Sequence, residues 1–148
     1  MICDVGELSG IFEDATSLEA FLQRIVEMVS QHMHSDVCSI YLFDELDQDL
    51  VLKATKGLNP ASIGTVRLKL GEGLSGIALK EMRPICERNA SKSAGYRHFE
   101  GIGEEQYESF LAVPILHGNI RIGVMVVQNA KSNYFTGDDI KELMAITA

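Results

Sequence analysis

Apolar side chains alternate most clearly between residues 109 and 129. In the first half of this segment both alternating sets are apolar: Leu111, Val113 and Ile115, and Phe110, Ala112 and Leu116. His117-Gly118-Asn119 separates it from a second alternating run, and Gly118 can take the positive φ that a tight turn requires. The pattern predicts an antiparallel hairpin at the centre of a sheet that is covered on both faces.

A long helix is predicted before this hairpin. Apolar residues recur every three or four positions from Leu18 to Met33, and Thr16 with Glu19 has the spacing of a capping box. We expect this helix to cover one face of the sheet. Residues 4–14 are weakly periodic and are expected to form a short helical lead-in.

A further helix is predicted at the C-terminal end. Thr136 with Asp139 forms a second capping box, and Phe135 with Ile140 has the spacing of a hydrophobic staple. The helical pattern from Gly137 to Ala148 contains no stop signal. We therefore expect the natural chain to continue as a helix and to carry further domains downstream.

Three strands are predicted between the first helix and a short second one. They are residues 37–44, 50–57 and 62–70, the first two joined by an acidic turn. A short helix from Gly73 to Met82 follows, and the segment PICE, residues 84–87, is a short edge strand because its proline cannot donate to a ladder. This order of elements predicts an α/β sandwich, an α+β fold with a mostly antiparallel sheet.

Residues 89–107 have no periodicity, which in a compact domain is typical of a binding loop or lid. The candidate ligand contacts in this loop are Tyr96, Arg97, His98, Phe99 and Tyr107. An arginine can bind a carboxylate through two parallel hydrogen bonds, and aromatic rings can wall a pocket. The alternative is that the aromatic residues only anchor the loop to the core.

Length and charge narrow the class of protein. With 148 residues and 46% hydrophobic composition, residues 1–148 are expected to form one domain, without a signal peptide or a membrane span, in the cytoplasm. The net charge of −8 argues against binding to nucleic acid or to an anionic membrane. Residues 67–98 carry a local net charge of +4, which either attracts a small anion or is ordinary solvated charge.

No set of residues predicts catalysis or metal binding. Gly71, Gly73 and Gly76 spell GxGxxG, but no second βαβ unit follows, so these glycines are expected to let the backbone pack closely. Cys38 and Cys86 are expected to be reduced, inert thiols. Because no acid, base and nucleophile come together, we predict no catalytic residue and no metal ligand.

Several segments carry a family resemblance over nearly the whole chain. The segments are VCSIYLFD, LVLKATKGL, EGLSGIA with PIC after it, SFLAVPI, IGVMVVQN and the F-T-G-D-D helix start. Together they resemble a GAF domain. Within that family they are similar to the N-terminal sensory domains of nitrogen-related phosphoenolpyruvate-protein phosphotransferases, and NifA-type regulators carry similar domains.

The resemblance implies a sheet of five or six strands with the terminal helices on one face and a small-molecule pocket on the other. The loop of residues 89–107 would roof that pocket, and the strand residues expected to contact the ligand are Ser39, Tyr41, Leu111 and Val113. The resemblance also implies homodimers that pair through the terminal helices. The implied ligands are 2-oxoglutarate and glutamine.

The resemblance places any phosphotransfer chemistry outside this chain. The phosphotransfer histidine of those enzymes has no counterpart among His32, His34, His98 and His117. No cofactor is expected here, although the parent enzyme could use magnesium. The alternatives are a ligandless GAF dimerisation module and, from another class, an enzyme that acts through Cys86 or Cys38 and would need a depressed thiol pKa.

Overall fold

The predicted hairpin is present in the computed structural model, which describes residues 17–89 and 107–147. Strand β5 spans Ser109–His117 and strand β6 spans Ile120–Asn129. Gly118 in the turn has a φ of +60°, the left-handed conformation expected there. The remaining strands are β1 (Val37–Asp44), β2 (Asp49–Lys56), β3 (Arg67–Lys69) and β4 (Ile85–Glu87).

The six strands form one sheet in the order β3-β2-β1-β6-β5-β4, and each neighbouring pair is antiparallel. The prediction of a five- to six-stranded, mostly antiparallel sheet is confirmed. β1 and β6 are its central pair. β5 lies one strand from the edge, next to β4, and both edge strands, β3 and β4, are only three residues long.

In the part of the chain that the structure describes, three helices cover the sheet: α1 (Leu18–Met33), α2 (Gly73–Glu81) and α3 (Gly137–Thr147). α1 contacts β1 and β2 and α3 contacts β5, whereas α2 contacts the sheet from the other side. None of these described helices is long and apolar enough to cross a bilayer. The prediction that the two terminal helices lie on one face of the sheet is confirmed.

The sheet therefore has two hydrophobic cores. The first, which we call the two-helix core, lies beneath α1 and α3 and includes Val26, Val29, Cys38, Leu111, Val113, Val127 and Leu143. The second, the α2 core, lies on the other face and includes Val37, Tyr41, Leu79, Phe110, Ala112, Val124 and Val126. Burying each large apolar side chain contributes roughly 1.5–3 kcal/mol, so both faces contribute to stability.

Two boundary predictions are wrong. The N-cap of α1 is Ser17, one residue later than predicted, and its hydroxyl accepts a hydrogen bond of 3.1 Å from the Ala20 N–H. The third strand is restricted to β3, because a 3-10 helix occupies Pro60–Ser62 and Gly64 turns the chain with a φ of +83°. The lead-in of residues 4–14 lies outside the described residues.

The second capping box is confirmed. The Asp139 carboxylate accepts from the Thr136 N–H at 2.7 Å, and the Asp139 N–H donates to the Thr136 hydroxyl at 3.3 Å. Phe135 and Ile140 of the predicted staple pack in the same two-helix core. These contacts fix where α3 begins and how it approaches the sheet.

The GxGxxG glycines have the structural role that was expected. The Gly71 N–H donates to the Gly76 carbonyl at 2.9 Å, where the chain turns from β3 into α2. A Cβ on Gly76 would lie 2.7 Å from the Lys69 carbonyl oxygen, closer than a carbon atom can approach it. The backbone of this turn therefore requires glycine at position 76.

We expect Gly76→Ala to destabilise the domain by about 1–3 kcal/mol, because backbone must move to accept the added methyl group. The measurement is the free energy of unfolding in urea. Gly137→Ala is the matched control, since an added Cβ there meets nothing within 4 Å. It should be neutral or slightly stabilising, and equal losses in the two variants would contradict the close-packing role.

Candidate functional site

A pair of buried hydroxyl groups lies on the α2 face of the sheet. Ser39 on β1 and Thr55 on β2 are directly opposed, and their side-chain oxygens are 2.9 Å apart. Ser39 is 0% exposed and Thr55 is 4% exposed. Gln128 on β6, 1% exposed, adds a carboxamide on the same face, diagonal to Ser39 across the β1–β6 pair, so three adjacent strands place polar side chains among apolar ones. We call Ser39, Thr55 and Gln128 the polar floor.

The pairing of β1 with β6 places Ser39 on this face. Residues directly opposite each other in an antiparallel pair share a face, and Ser39 lies opposite Val126, a member of the α2 core. Gln128 lies opposite Val37, another member of that core. The polar floor therefore belongs to the face opposite α1 and α3.

An irregularity in β2 brings Thr55 to the same face. The register with β1 steps from Ile40↔Ala54 to Tyr41↔Leu52, which leaves Lys53 as an extra residue. Leu52 consequently packs in the α2 core while Ala54 packs in the two-helix core. Without the extra residue the alternation would continue from Leu52, and Thr55 would point away from Ser39.

Thr55 also contacts the opposite side of the sheet through its backbone. Its carbonyl oxygen accepts a hydrogen bond of 2.9 Å from the Gln23 side chain on α1. The Gln23 amide also lies 3.2 Å from a carboxylate oxygen of Glu27, one turn further along the helix. One residue thus contributes a hydroxyl to the polar floor and a carbonyl to a terminal helix.

The structure brings some of the predicted site residues together and separates others. Ser39, Tyr41 and Tyr107 are on the α2 side of the sheet. Leu111 and Val113 are buried in the two-helix core, so the prediction that they contact the same ligand is wrong. They pair with Val127 and Met125, which face α1 and α3. Tyr96, Arg97, His98 and Phe99 lie outside the described residues.

Two residues of the polar floor, Thr55 and Gln128, were not predicted as site residues. The available signal was a polar side chain within a run that is otherwise apolar. Tyr107, which was predicted, is partly buried against the α2 core. Burial, followed by the negative charge of Asp36, raises the pKa of its phenol, so at neutral pH Tyr107 remains an uncharged donor and acceptor.

A cluster of three carboxylates forms at the turn between β1 and β2. One oxygen each of Asp44, Asp47 and Asp49 lies within 4.8 Å of the others. The Arg67 guanidinium lies among them, 3.0 Å from Asp49, 3.5 Å from Asp44 and 3.7 Å from Asp47. The arginine joins β3 to this turn electrostatically, and it accounts for one charge of the predicted basic segment.

A surface groove of about 630 Å³ lies at the same end of the sheet. Its lining is Leu42, Phe43, Asp44, Glu45, Val51, Lys53, Arg67, Ile120, Arg121 and Ile122. None of these residues was predicted to contact a ligand, and none belongs to the polar floor. The groove is therefore a feature separate from the candidate site.

Neither described cysteine has the environment of a nucleophile. Burial raises the pKa of the Cys38 thiol far above its usual range, with a small opposing effect of Lys56. Burial, then the charges of Glu87 and Asp139, raise the pKa of the Cys86 thiol, and Arg88 only partly opposes them. The depressed pKa that a thiol-dependent enzyme would need is absent from both residues.

Comparison with known proteins defines the family of this chain. Residues 15–148 match the model of the GAF domain family, and the chain belongs to that family. Its fold is that of the GAF domain from an Acinetobacter phosphoenolpyruvate-protein phosphotransferase, with a TM-score of 0.81 and 37% identity over 95% of this chain and 85% of that one. The sequence resemblance to GAF domains of such phosphotransferases is confirmed.

Two longer proteins each contain a segment that is similar to this chain. The chain is 30% identical over 116 residues to the phosphoenolpyruvate-dependent phosphotransferase system protein of Escherichia coli, covering 78% of this chain and 16% of that protein. It is 26% identical to a Nif-specific regulatory protein of Azospirillum brasilense, covering 82% of this chain and 20% of that protein. The chain thus spans under a quarter of these relatives and corresponds to a GAF domain, not to a phosphotransfer domain.

The GAF fold also occurs in an enzyme. A free methionine-R-sulfoxide reductase of Neisseria meningitidis superposes with a TM-score of 0.78 at 18% identity, covering 96% of this chain and 80% of that one. At 18% identity, this similarity shows only that the two proteins share a fold.

The cysteine environments predict slow thiol chemistry. In a Cys3→Ser background, we expect Cys38 to resist iodoacetamide until the domain unfolds. Cys86 should react more slowly than glutathione at pH 7, with a rate that still rises above the ordinary thiol pKa of 9.0, because a raised pKa leaves less thiolate at neutral pH. Intact-mass spectrometry at intervals measures both rates. Labelling of Cys86 faster than glutathione at pH 7 would restore the nucleophile hypothesis.

Proposed function

We propose that this chain is a regulatory, small-molecule-sensing GAF domain of a bacterial signalling protein. The parent would be a phosphoenolpyruvate-protein phosphotransferase of the nitrogen phosphotransferase system, with this domain as its N-terminal sensor. A small metabolite would bind on the α2 side of the sheet, between the polar floor and the segment of residues 89–107. The similarity to GAF domains of such phosphotransferases supports the parent, and the buried polar residues support the site.

The observation that carries this proposal is the dual contact of Thr55. Its hydroxyl pairs with Ser39 in the polar floor, and its carbonyl accepts from Gln23 on α1. Polar groups buried in an apolar core cost free energy unless they have partners, so such groups are retained where structure or function uses them. A ligand that displaces β2 at Thr55 would act directly on a terminal helix.

The terminal helices are the proposed output. His32 on α1 and Glu142 on α3 are joined by a contact of 2.8 Å, so the two helices would respond together. Leu18 is 56% exposed and Met144 is 45% exposed, which leaves apolar surface on both helices for pairing with a second copy of the chain. Ligand binding would then bias the arrangement of the dimer and of whatever follows it.

Calorimetric titration tests the proposal directly. We expect saturable binding of 2-oxoglutarate or glutamine. Arg97→Ala should weaken the binding of a carboxylate ligand about tenfold or more, because a charge-assisted, two-point contact is lost. Arg83→Ala is the control, since Arg83 is exposed and pairs with Glu81. The melting temperature verifies that both variants fold, and equal affinities of wild type and Arg97→Ala would contradict the role of Arg97.

The connection through Gln23 gives a separate prediction. Gln23→Ala should leave ligand affinity within about threefold, since the side chain lies on the opposite face, but should abolish ligand-induced protection of α1 amides in hydrogen exchange. Gln31→Ala, also on α1 and exposed, is the matched control and should keep that protection. Full protection of α1 in Gln23→Ala would show that the signal takes another route.

Two alternatives have specific support. The similarity to the Azospirillum regulator favours a sensor domain of a NifA-type transcriptional regulator, with the same kind of site but a different output. The exposed apolar residues on α1 and α3 also suit a dimerisation module without a ligand. Failure of all the metabolites to bind, together with a stable dimer in sedimentation, would favour that module.

A further inference from the structure

The hydroxyl pair of the polar floor has unused hydrogen-bonding capacity. Ser39 and Thr55 each carry one hydroxyl proton, and their mutual bond of 2.9 Å uses one of the two. Within the part of the chain that the structure describes, Thr55 Oγ1 is the only partner of Ser39 Oγ, and the reverse also holds. One proton of a nearly inaccessible pair therefore remains for an acceptor, and leaving a buried donor unmet costs about 1–3 kcal/mol.

The charge around the polar floor argues against a carboxylate at this position. Among the described residues that are buried, the only charged one is Asp49, which contacts Arg67 at the β1–β2 turn. No buried lysine or arginine is thus available to the floor from this part of the chain. Because a carboxylate transferred into an apolar interior without a cation is strongly disfavoured, the floor suits an uncharged group.

We infer that the polar floor selects a ligand that presents an uncharged hydrogen-bonding group, a carboxamide or a hydroxyl, to Ser39 and Thr55. The free hydroxyl proton donates to the ligand oxygen, and the hydroxyl lone pairs accept from a ligand N–H or O–H. Any charged group of the ligand lies away from the floor. This inference rests on the proposed sensing function and specifies which chemistry the site recognises.

Matched amide and acid pairs isolate that chemistry. Glutamine and glutamate, and asparagine and aspartate, differ within each pair only by a carboxamide in place of a carboxylate of nearly the same shape. We expect calorimetry to show that the wild-type domain binds the better amide at least about tenfold more tightly than its acid, because only the acid brings an unpaired charge to the floor.

The variant that tests the residues is the double substitution Ser39→Ala and Thr55→Val. Removing one hydroxyl would strand the other, whereas replacing both by apolar groups of similar shape can be nearly neutral for stability. We expect this variant to fold and to bind the amide about tenfold more weakly. The control is Ser30→Ala with Ser35→Ala, which removes a second buried hydroxyl pair, 3.4 Å apart, at the end of α1. That control should bind as the wild type does.

The outcomes separate this inference from the proposed function. Wild-type binding with an amide preference that falls in the double variant supports both. Binding in which the acid equals or exceeds the amide, or in which the double variant binds as the wild type does, overturns the inference and leaves sensing intact. Binding of none of the four amino acids overturns the inference too, and if 2-oxoglutarate also fails, it removes the proposed sensing function as well. If the double variant unfolds, the amide-to-acid ratio of the wild type still decides the ligand class.

Discussion

The fold depends most on the pairing of β1 with β6. Without it the sheet would separate into a β3-β2-β1 half and a β6-β5-β4 half that are distant in sequence. The pair is closed at one end by Asp36, whose carboxylate accepts from the Ala130 N–H at 2.9 Å, and by Asn129, whose side-chain oxygen accepts from the Asp36 N–H at 2.6 Å. At the other end a Cβ on Gly123 would clash with the Tyr41 carbonyl, so glycine permits the close approach. Contacts this distant in sequence are entropically costly to form and need such specific closure.

The same pairing decides which residues can form a site together. Local alternation correctly divided β5 into two apolar sets, and it predicted the bounds of β1 and the position of the hairpin. Alternation within one strand does not reveal which set shares a face with Tyr41, because that depends on the register between strands. Tyr41 lies opposite Val124, which lies opposite Pro114, so the even-numbered residues of β5 face the α2 core. Leu111 and Val113 were assigned to the wrong face for this reason.

Irregularities in the strands explain most of what periodicity missed. The extra residue Lys53 rotates Thr55 toward Ser39, and a register step near Ile115 leaves Ile122 as an extra residue on β6. Arg121 can then donate to the carbonyls of Leu79 and Lys80 at 3.0 and 2.9 Å, which caps the end of α2. Helices with strong apolar spacing and caps were predictable from sequence. A bulge inserts one residue and has no distinctive composition. The polar floor, which depends on this bulge, was therefore not predictable from sequence.

Thr55 links these constraints to the signalling mechanism that we propose. β3 pairs with β2 only over Asp49–Val51, so at Thr55 the strand pairs with β1 alone, and a small movement there passes most readily to groups directly bonded to it. At Thr55 that group is the Gln23 side chain, bonded to the carbonyl of the residue whose hydroxyl faces the floor. Lys53, two residues before Thr55, has no residue opposite it on β1. This bulge leaves β2 less constrained near Thr55 than a regular ladder would. In the sensor that we propose, the bulge that brings Thr55 to the polar floor would also supply the local freedom for an occupant of the floor to shift α1.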